Sequence, residues 1–158
     1  MPVEAKKTTA ALILVSREIV IPESVSLHVA LADYHPVQEG LLERFLDLDL
    51  VGTPRTFRVT GATFGIRTDA KRRTFRQTYD LYVNAGNGPV DIFALLEVGM
   101  QFLSVGDDRP IYGTRTYRDS ESGNACFPYI LAEGERKYLG FCDADEAEQW
   151  PGMLIFQT

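Results

Sequence analysis

The residues of this chain that could carry acid–base, nucleophilic or metal chemistry are few: His28 and His35, Cys126 and Cys142, and the carboxylates Asp80 and Glu97. The two histidines flank a predicted turn with no Cys or Glu at ligand spacing, so they read as rim histidines rather than a metal pair. Neither cysteine has a base beside it in the sequence, which leaves a Cys–His nucleophile with little support. They form no CxxC motif and read as a reduced, cytosolic pair. Asp80 and Glu97 fall inside predicted strands, and Glu97 sits in a very apolar run. Desolvation there would raise a carboxyl pKa and suit general acid–base work. The plainer reading, solvent exposure or pairing with Arg58, Arg67, Arg76 or Arg115, outweighs it. "GATFG", Gly61 to Gly65, is not a dinucleotide fingerprint, and no GxSxG occurs. No cofactor and no metal are expected.

Aromatic residues are the stronger feature. Phe57, Phe64, Phe75, Tyr79, Tyr82, Phe102, Tyr112, Tyr138 and Trp150 are candidates for lining an apolar pocket, with tyrosine and tryptophan supplying polar handles. Each taken alone is better explained by a place in the core.

The elements needed to position them read mostly as strands. Ala11 to Ile21 is β-branched and apolar, and Ser24 to Asp33 alternates with a period of two. Val37, Leu41, Leu42 and Phe45 recur at helical spacing, so Pro36 to Phe45 is a short helix or a loop crossing. Leu46, Leu48 and Leu50 then alternate with Asp47, Asp49 and Val51. In Arg55 to Asp69 the apolar parity switches around Gly61-Ala62, which predicts a bulge or bend. Phe75 to Val83 and Val90 to Phe102 both alternate and read as strands. The second is apolar on both faces, which predicts an exposed patch and a homodimer. "KRR", Lys71 to Arg73, and "NAGNGP" read as turns. About eight strands with short turns and almost no helix predict an all-β fold, a closed antiparallel barrel with a ligand-sized lumen. Residues 1–10 are expected to be disordered and 11–158 to form one domain. A net charge of −6 argues against a broad grip on nucleic acid. No run approaches a membrane-spanning length, and a cytoplasmic location is expected.

"DLDLVGTPRTFRVT", Asp47 to Thr60, carries Val51-Gly52-Thr53 followed by Phe57-Arg58-Val59. "KYLGFCDADEAEQW" carries Tyr138-Leu139-Gly140 and then Gln149-Trp150. In these pieces, and in "AALILVSREIVI", the chain resembles the small β-barrel cyclases related to allene oxide cyclase and dirigent proteins. It is most similar to their bacterial branch that forms spirotetronates and related tetronate polyketides, the Diels–Alderase type. The resemblance implies a cofactor-free homodimeric barrel that folds a linear polyketide substrate for intramolecular [4+2] cycloaddition, acting as an entropy trap. It implies that Trp150 packs on the substrate. The family's substrate-binding tyrosine aligns near Arg76, where Tyr79 is the nearest tyrosine. Two rivals stand beside this reading: a non-catalytic lipocalin-like barrel carrying a small hydrophobic ligand, and a dry-cored interaction or structural protein.

Overall fold

A computed structural model of the chain describes residues 17–64, 67–68, 71–72, 74–103, 109–148 and 152–158. Trp150, the first ten residues and the start of the predicted first strand lie outside these. In chain order come β1 (Arg17–Ile21), β2 (Val25–Ser26), α1 (Leu27–Ala30), β3 (Tyr34–Pro36), a 3-10 turn (Leu42–Arg44), β4 (Val51–Gly52) and β5 (Arg55–Phe64). Then follow β6 (Arg67–Thr68), β7 (Lys71–Arg72), α2 (Phe75–Asn84), α3 (Ile92–Phe102), β8 (Ile111–Tyr112) and β9 (Tyr117–Arg118). β10 (Ala125–Glu133), β11 (Arg136–Cys142), α4 (Ala144–Glu148) and β12 (Gly152–Gln157) complete the set.

The fold is mostly β, organised around one mixed sheet in the order β1-β5-β12-β8-β10-β11-β3, with β9 paired to β10. Two neighbouring pairs are parallel, β12 with β8 and β11 with β3, and the other ladders are antiparallel. Among the described residues no pairing joins β1 to β3. No helix among them is long and apolar enough to cross a membrane.

Two expected strands are helices. Thr74 opens α2 with a capping box: its hydroxyl accepts from the Gln77 N–H (3.1 Å) and the Gln77 side-chain oxygen accepts from the Thr74 N–H (3.0 Å). Phe75, Thr78, Tyr79 and Tyr82 then fall at i, i+3, i+4 and i+7 and face the sheet. Asp91 caps α3 by accepting from the Ala94 N–H at 2.9 Å. Ile92 to Leu96, Val98 and Gly99 are all buried, so α3 is an internal helix, apolar nearly all round. The doubly apolar run is therefore not an exposed patch, and the argument for a dimer built on it falls away. Asp80 and Glu97 accordingly sit on helices: Asp80 is exposed, and half-buried Glu97 accepts from the Gln101 side chain at 3.1 Å. The alternation of Ser24 to Asp33 gives only β2 before Ser26 caps α1, its hydroxyl accepting from the Val29 N–H at 3.2 Å.

The parity change at Gly61-Ala62 is not a bulge. Val59 to Phe64 pairs residue for residue with Gln157 to Gly152. What changes is the face that is covered. Near β1 only one face is buried, with Ile19, Phe57 and Val59 packed under α3 while Glu18, Val20, Thr56 and Arg58 are exposed. Along β12 the other face is covered as well, by α2, and Ala62, Phe64, Leu154 and Phe156 pack there. A strand moving from a one-sided to a two-sided environment shows this switch with no break in its ladder. The sheet thus separates two hydrophobic clusters, with Ile130 and Leu139 on the α3 side and Phe127, Tyr129 and Tyr112 on the α2 side.

Candidate functional site

The structure brings together Phe64, Phe75, Tyr79, Tyr82 and Tyr112 on the α2 side of the sheet. Phe75 is the hub, with ring centroids 4.9 Å from Phe127, 5.1 Å from Phe64, 5.7 Å from Tyr112 and 6.4 Å from Tyr79. Tyr82 stacks on Phe156 at 5.1 Å. Phe64, Phe75 and Tyr112 are fully buried, and Tyr112 shares a side-chain hydrogen bond with the Cys142 thiol. Burial pushes the Cys142 thiol up to about 12, its largest cause being desolvation, followed by the charge of Glu146. These rings interlock edge-to-face and offset, as a packed interior does.

The remaining candidates lie elsewhere. Phe57 is buried on the α3 side, with the Arg55 guanidinium 5.3 Å from its ring centroid. Phe102 ends α3 and packs half-buried against the same cluster. Tyr138 is half-buried on β11, its ring 5.9 Å from His35. His28 stands apart on α1. Cys126 and Cys142 are free and point to opposite faces of the sheet. Among the described residues no group of three or more His, Cys, Asp or Glu side chains is placed to hold a metal ion.

On the α3 side, at the β3 edge, the chain leaves an open apolar cleft of about 880 Å³. One wall is α1 and the turn after it, with Leu27, His28, Val29, Leu31 and Ala32. The floor is Tyr34, Pro36 and Leu139 from the paired strands β3 and β11. The facing wall is an irregular segment carrying Leu42, Glu43, Phe45, Leu46, Leu48 and Leu50. Of these, Phe45 is an anchor, buried and stacked on Phe141 at 4.0 Å. Leu46 and Leu50 are 83% and 73% exposed. Tyr34 fixes the floor from below, its hydroxyl donating to the Leu96 carbonyl of α3 at 2.8 Å. Burial, then the charges of Glu97 and Asp33, push that phenol well above the ordinary tyrosine range, so it stays a neutral donor. His28 and Glu43 are the ionisable side chains that line the cleft besides the Tyr34 phenol; the rest of the lining is aliphatic, with one phenyl ring.

The facing wall is held by charges on its outer side. Arg44 forks onto Asp119 and reaches Glu121 at 2.6 Å, while Ser120 N–H donates to the Arg44 carbonyl at 2.7 Å. The Arg44 hydrogen bond, then the Glu121 N–H, hold the Asp119 carboxyl down at about 2. Asp49 pairs with Arg115 at 2.7 Å, and the Asp47 carboxylate accepts from the Arg118 N–H at 2.9 Å. The Leu-Asp alternation of residues 46–50, visible in the sequence, is thus a signal of this site: leucines toward the cleft, aspartates toward the 115–118 segment.

The chain matches no family model, no curated protein and no solved structure.

Proposed function

We propose that this protein binds a small, largely aliphatic molecule in the cleft between α1, β3 and residues 42–50. The observation that carries the reading is the combination of an apolar recess of about 880 Å³, within the size range of small-molecule sites, with leucines left bare at its mouth. Exposed leucine is unfavourable by about 25 cal/mol per Å² of apolar surface, so an aliphatic ligand that covers Leu46 and Leu50 gains binding free energy from both. Nile red fluorescence tests it. The wild-type chain should bind the dye saturably, and Ala32→Trp, which places an indole in the mouth from an exposed position, should weaken binding at least tenfold without lowering stability. No saturable binding by the wild type, or equal binding by Ala32→Trp, would refute the proposal.

A second reading is favoured by one observation: Leu139 of Tyr138-Leu139-Gly140 is part of the cleft floor, and Leu50 at its mouth runs straight into Val51-Gly52-Thr53. In this reading the bound molecule is a linear polyketide and the protein is a cofactor-free cyclase, a cytoplasmic homodimer with a closed barrel. The [4+2] step forms two σ bonds and converts three π bonds into one, with no proton or redox partner, so positioning alone can drive it. Tyr79 packs on the opposite sheet face from this cleft, so a hydrogen-bonding role for it would require a second chamber on the α2 side. Incubation with a linear polyene bearing a tethered alkene, followed by loss of polyene absorbance, separates catalysis from binding. Dye binding without turnover leaves only the first reading.

A further inference from the structure

On the reading that the cleft binds a ligand, we infer that Leu46–Leu50 is a flap over it, closed by an exposed ionic latch and hinged on a partly buried ionic anchor. The two sets of contacts differ in kind. At the anchor, Phe45 is buried against Phe141, and Arg44, 29% exposed, grips Asp119, whose side chain is only 4% exposed. At the latch, Arg115 and Asp49 are 38% and 54% exposed. The second latch point is a single hydrogen bond, from the Arg118 N–H to the Asp47 carboxylate. The apolar contact that opposes opening is that of Leu48, half-buried against the core cluster, since Leu46 and Leu50 are already bare. The far end of the flap is held by one backbone bond, Leu27 N–H to the Leu50 carbonyl at 2.8 Å, and by the pairing of β4 with β2.

Salt separates the two sets. Exposed charges are screened within roughly 3 Å at about 1 M salt, whereas partly buried pairs are screened much less. The flap should therefore loosen with salt while the anchor holds. A ligand seated in the cleft should oppose the loosening, because it covers the leucines that the flap carries. The latch is built from carboxylates and guanidinium groups, and the facing charges at the anchor are Arg44, Asp119 and Glu121, so ionic strength rather than neutral-range pH is its control.

Three amides report on this in the full-length chain without any ligand. Arg118 and Leu27 N–H groups donate to the flap, and Ser120 N–H donates to the anchor. Amide hydrogen exchange followed by NMR should speed up about two- to fivefold at Arg118 and Leu27 on going from low to about 1 M salt, with Ser120 unchanged. Arg115→Gln and, independently, Asp49→Asn should produce the same acceleration at low salt and remove the response to added salt. In stopped flow, both variants should release Nile red faster by a similar factor. Exchange at Ser120 rising in step with Arg118, or no acceleration at any of the three, overturns the flap. So does accelerated exchange with unchanged dye release. A wild type that binds no dye overturns the binding reading instead, and the exchange data then still decide whether the latch exists.

Discussion

Gly99 offers a quantitative test of how α3 supports the floor of the cleft. A methyl group built on Gly99 overlaps the Tyr34 hydroxyl and lies 2.6 Å from Ile130 Cδ1 and 3.2 Å from Tyr34 Cζ. Ile130 is completely buried and Tyr34 is held by the Leu96 carbonyl, so neither neighbour has free space to retreat into. Gly99→Ala should cost about 1–3 kcal/mol for overpacking and about 1 kcal/mol for the displaced phenol hydrogen bond. Alanine's helix propensity returns about 0.8–1 kcal/mol, leaving a net loss of roughly 1–3 kcal/mol. Tyr34→Phe alone should cost about 1 kcal/mol, since the Leu96 carbonyl loses its phenol donor. In the Tyr34→Phe background the nearest clashing atom is gone and the hydrogen bond is already lost. There Gly99→Ala should be at least about 1 kcal/mol cheaper than in the wild type, a coupling of the size seen between residues in contact. Urea unfolding of the four proteins, followed by far-ultraviolet circular dichroism, measures it. Additivity within about 0.3 kcal/mol, or a Gly99→Ala chain stabilised by the full propensity gain, would refute the packing described here.

Two further outcomes follow from the other side of the sheet. Phe75→Ala empties the hub of the aromatic cluster and should cost about 3–5 kcal/mol in urea unfolding while leaving Nile red affinity unchanged; lost dye binding with little lost stability would return Phe75 to a binding role. Cys142 has an ordinary thiol value of 9.0 and a folded value of about 12, so its contribution is complete below pH 9 and declines as pH rises toward the folded value. At pH 10 ionisation of the unfolded thiol removes about 1.4 kcal/mol, and Cys142→Ala should lose less stability than the wild type by about that amount between pH 8 and pH 10. Parallel pH profiles for the two proteins would sink the assignment.

β5 was legible in the sequence because its β-branched, alternating residues sat before clear turn residues, whereas Tyr138-Leu139-Gly140, matched to a turn by the resemblance, lies inside β11. The two helices were not, and for different reasons. In α2 the odd positions Phe75, Tyr79, Leu81 and Val83 alternate convincingly, but Leu81 and Val83 are 47% and 42% exposed, so the alternation carries no buried face. The decisive signal was four residues long, the Thr74-to-Gln77 capping box, and it belongs to helix starts alone. In α3 no period could decide, because a helix buried on nearly all sides is apolar at nearly every spacing; Asp91 at its N-cap and the Leu, Ala, Glu, Met and Gln content were the usable cues. Reading Gly61-Ala62 as a bulge came from the assumption that one face of a strand is dry throughout. The sheet breaks that assumption along β12, where both faces are covered.

The candidate site shows a different limit. The Leu-Asp alternation of residues 46–50 was visible, and a period of two normally means a strand with one wet and one dry face. Here the pattern has the same physical origin without the strand: one side of the segment faces an apolar cleft and the other faces cations. What the alternation could not disclose is which cations. Arg115 lies 66 residues from Asp49 and Arg118 lies 71 residues from Asp47, and no local spacing rule reaches that far. The aromatic residues show the complementary case. Phe75, Tyr79, Tyr82 and Tyr112 are drawn together by their own burial, which is what a large aromatic side chain does in any core. A cleft that stays open must instead be lined by side chains that fail to fill it, and the leucines of an irregular segment, fixed at Phe45 and tied beyond it mainly through its aspartates, meet that condition.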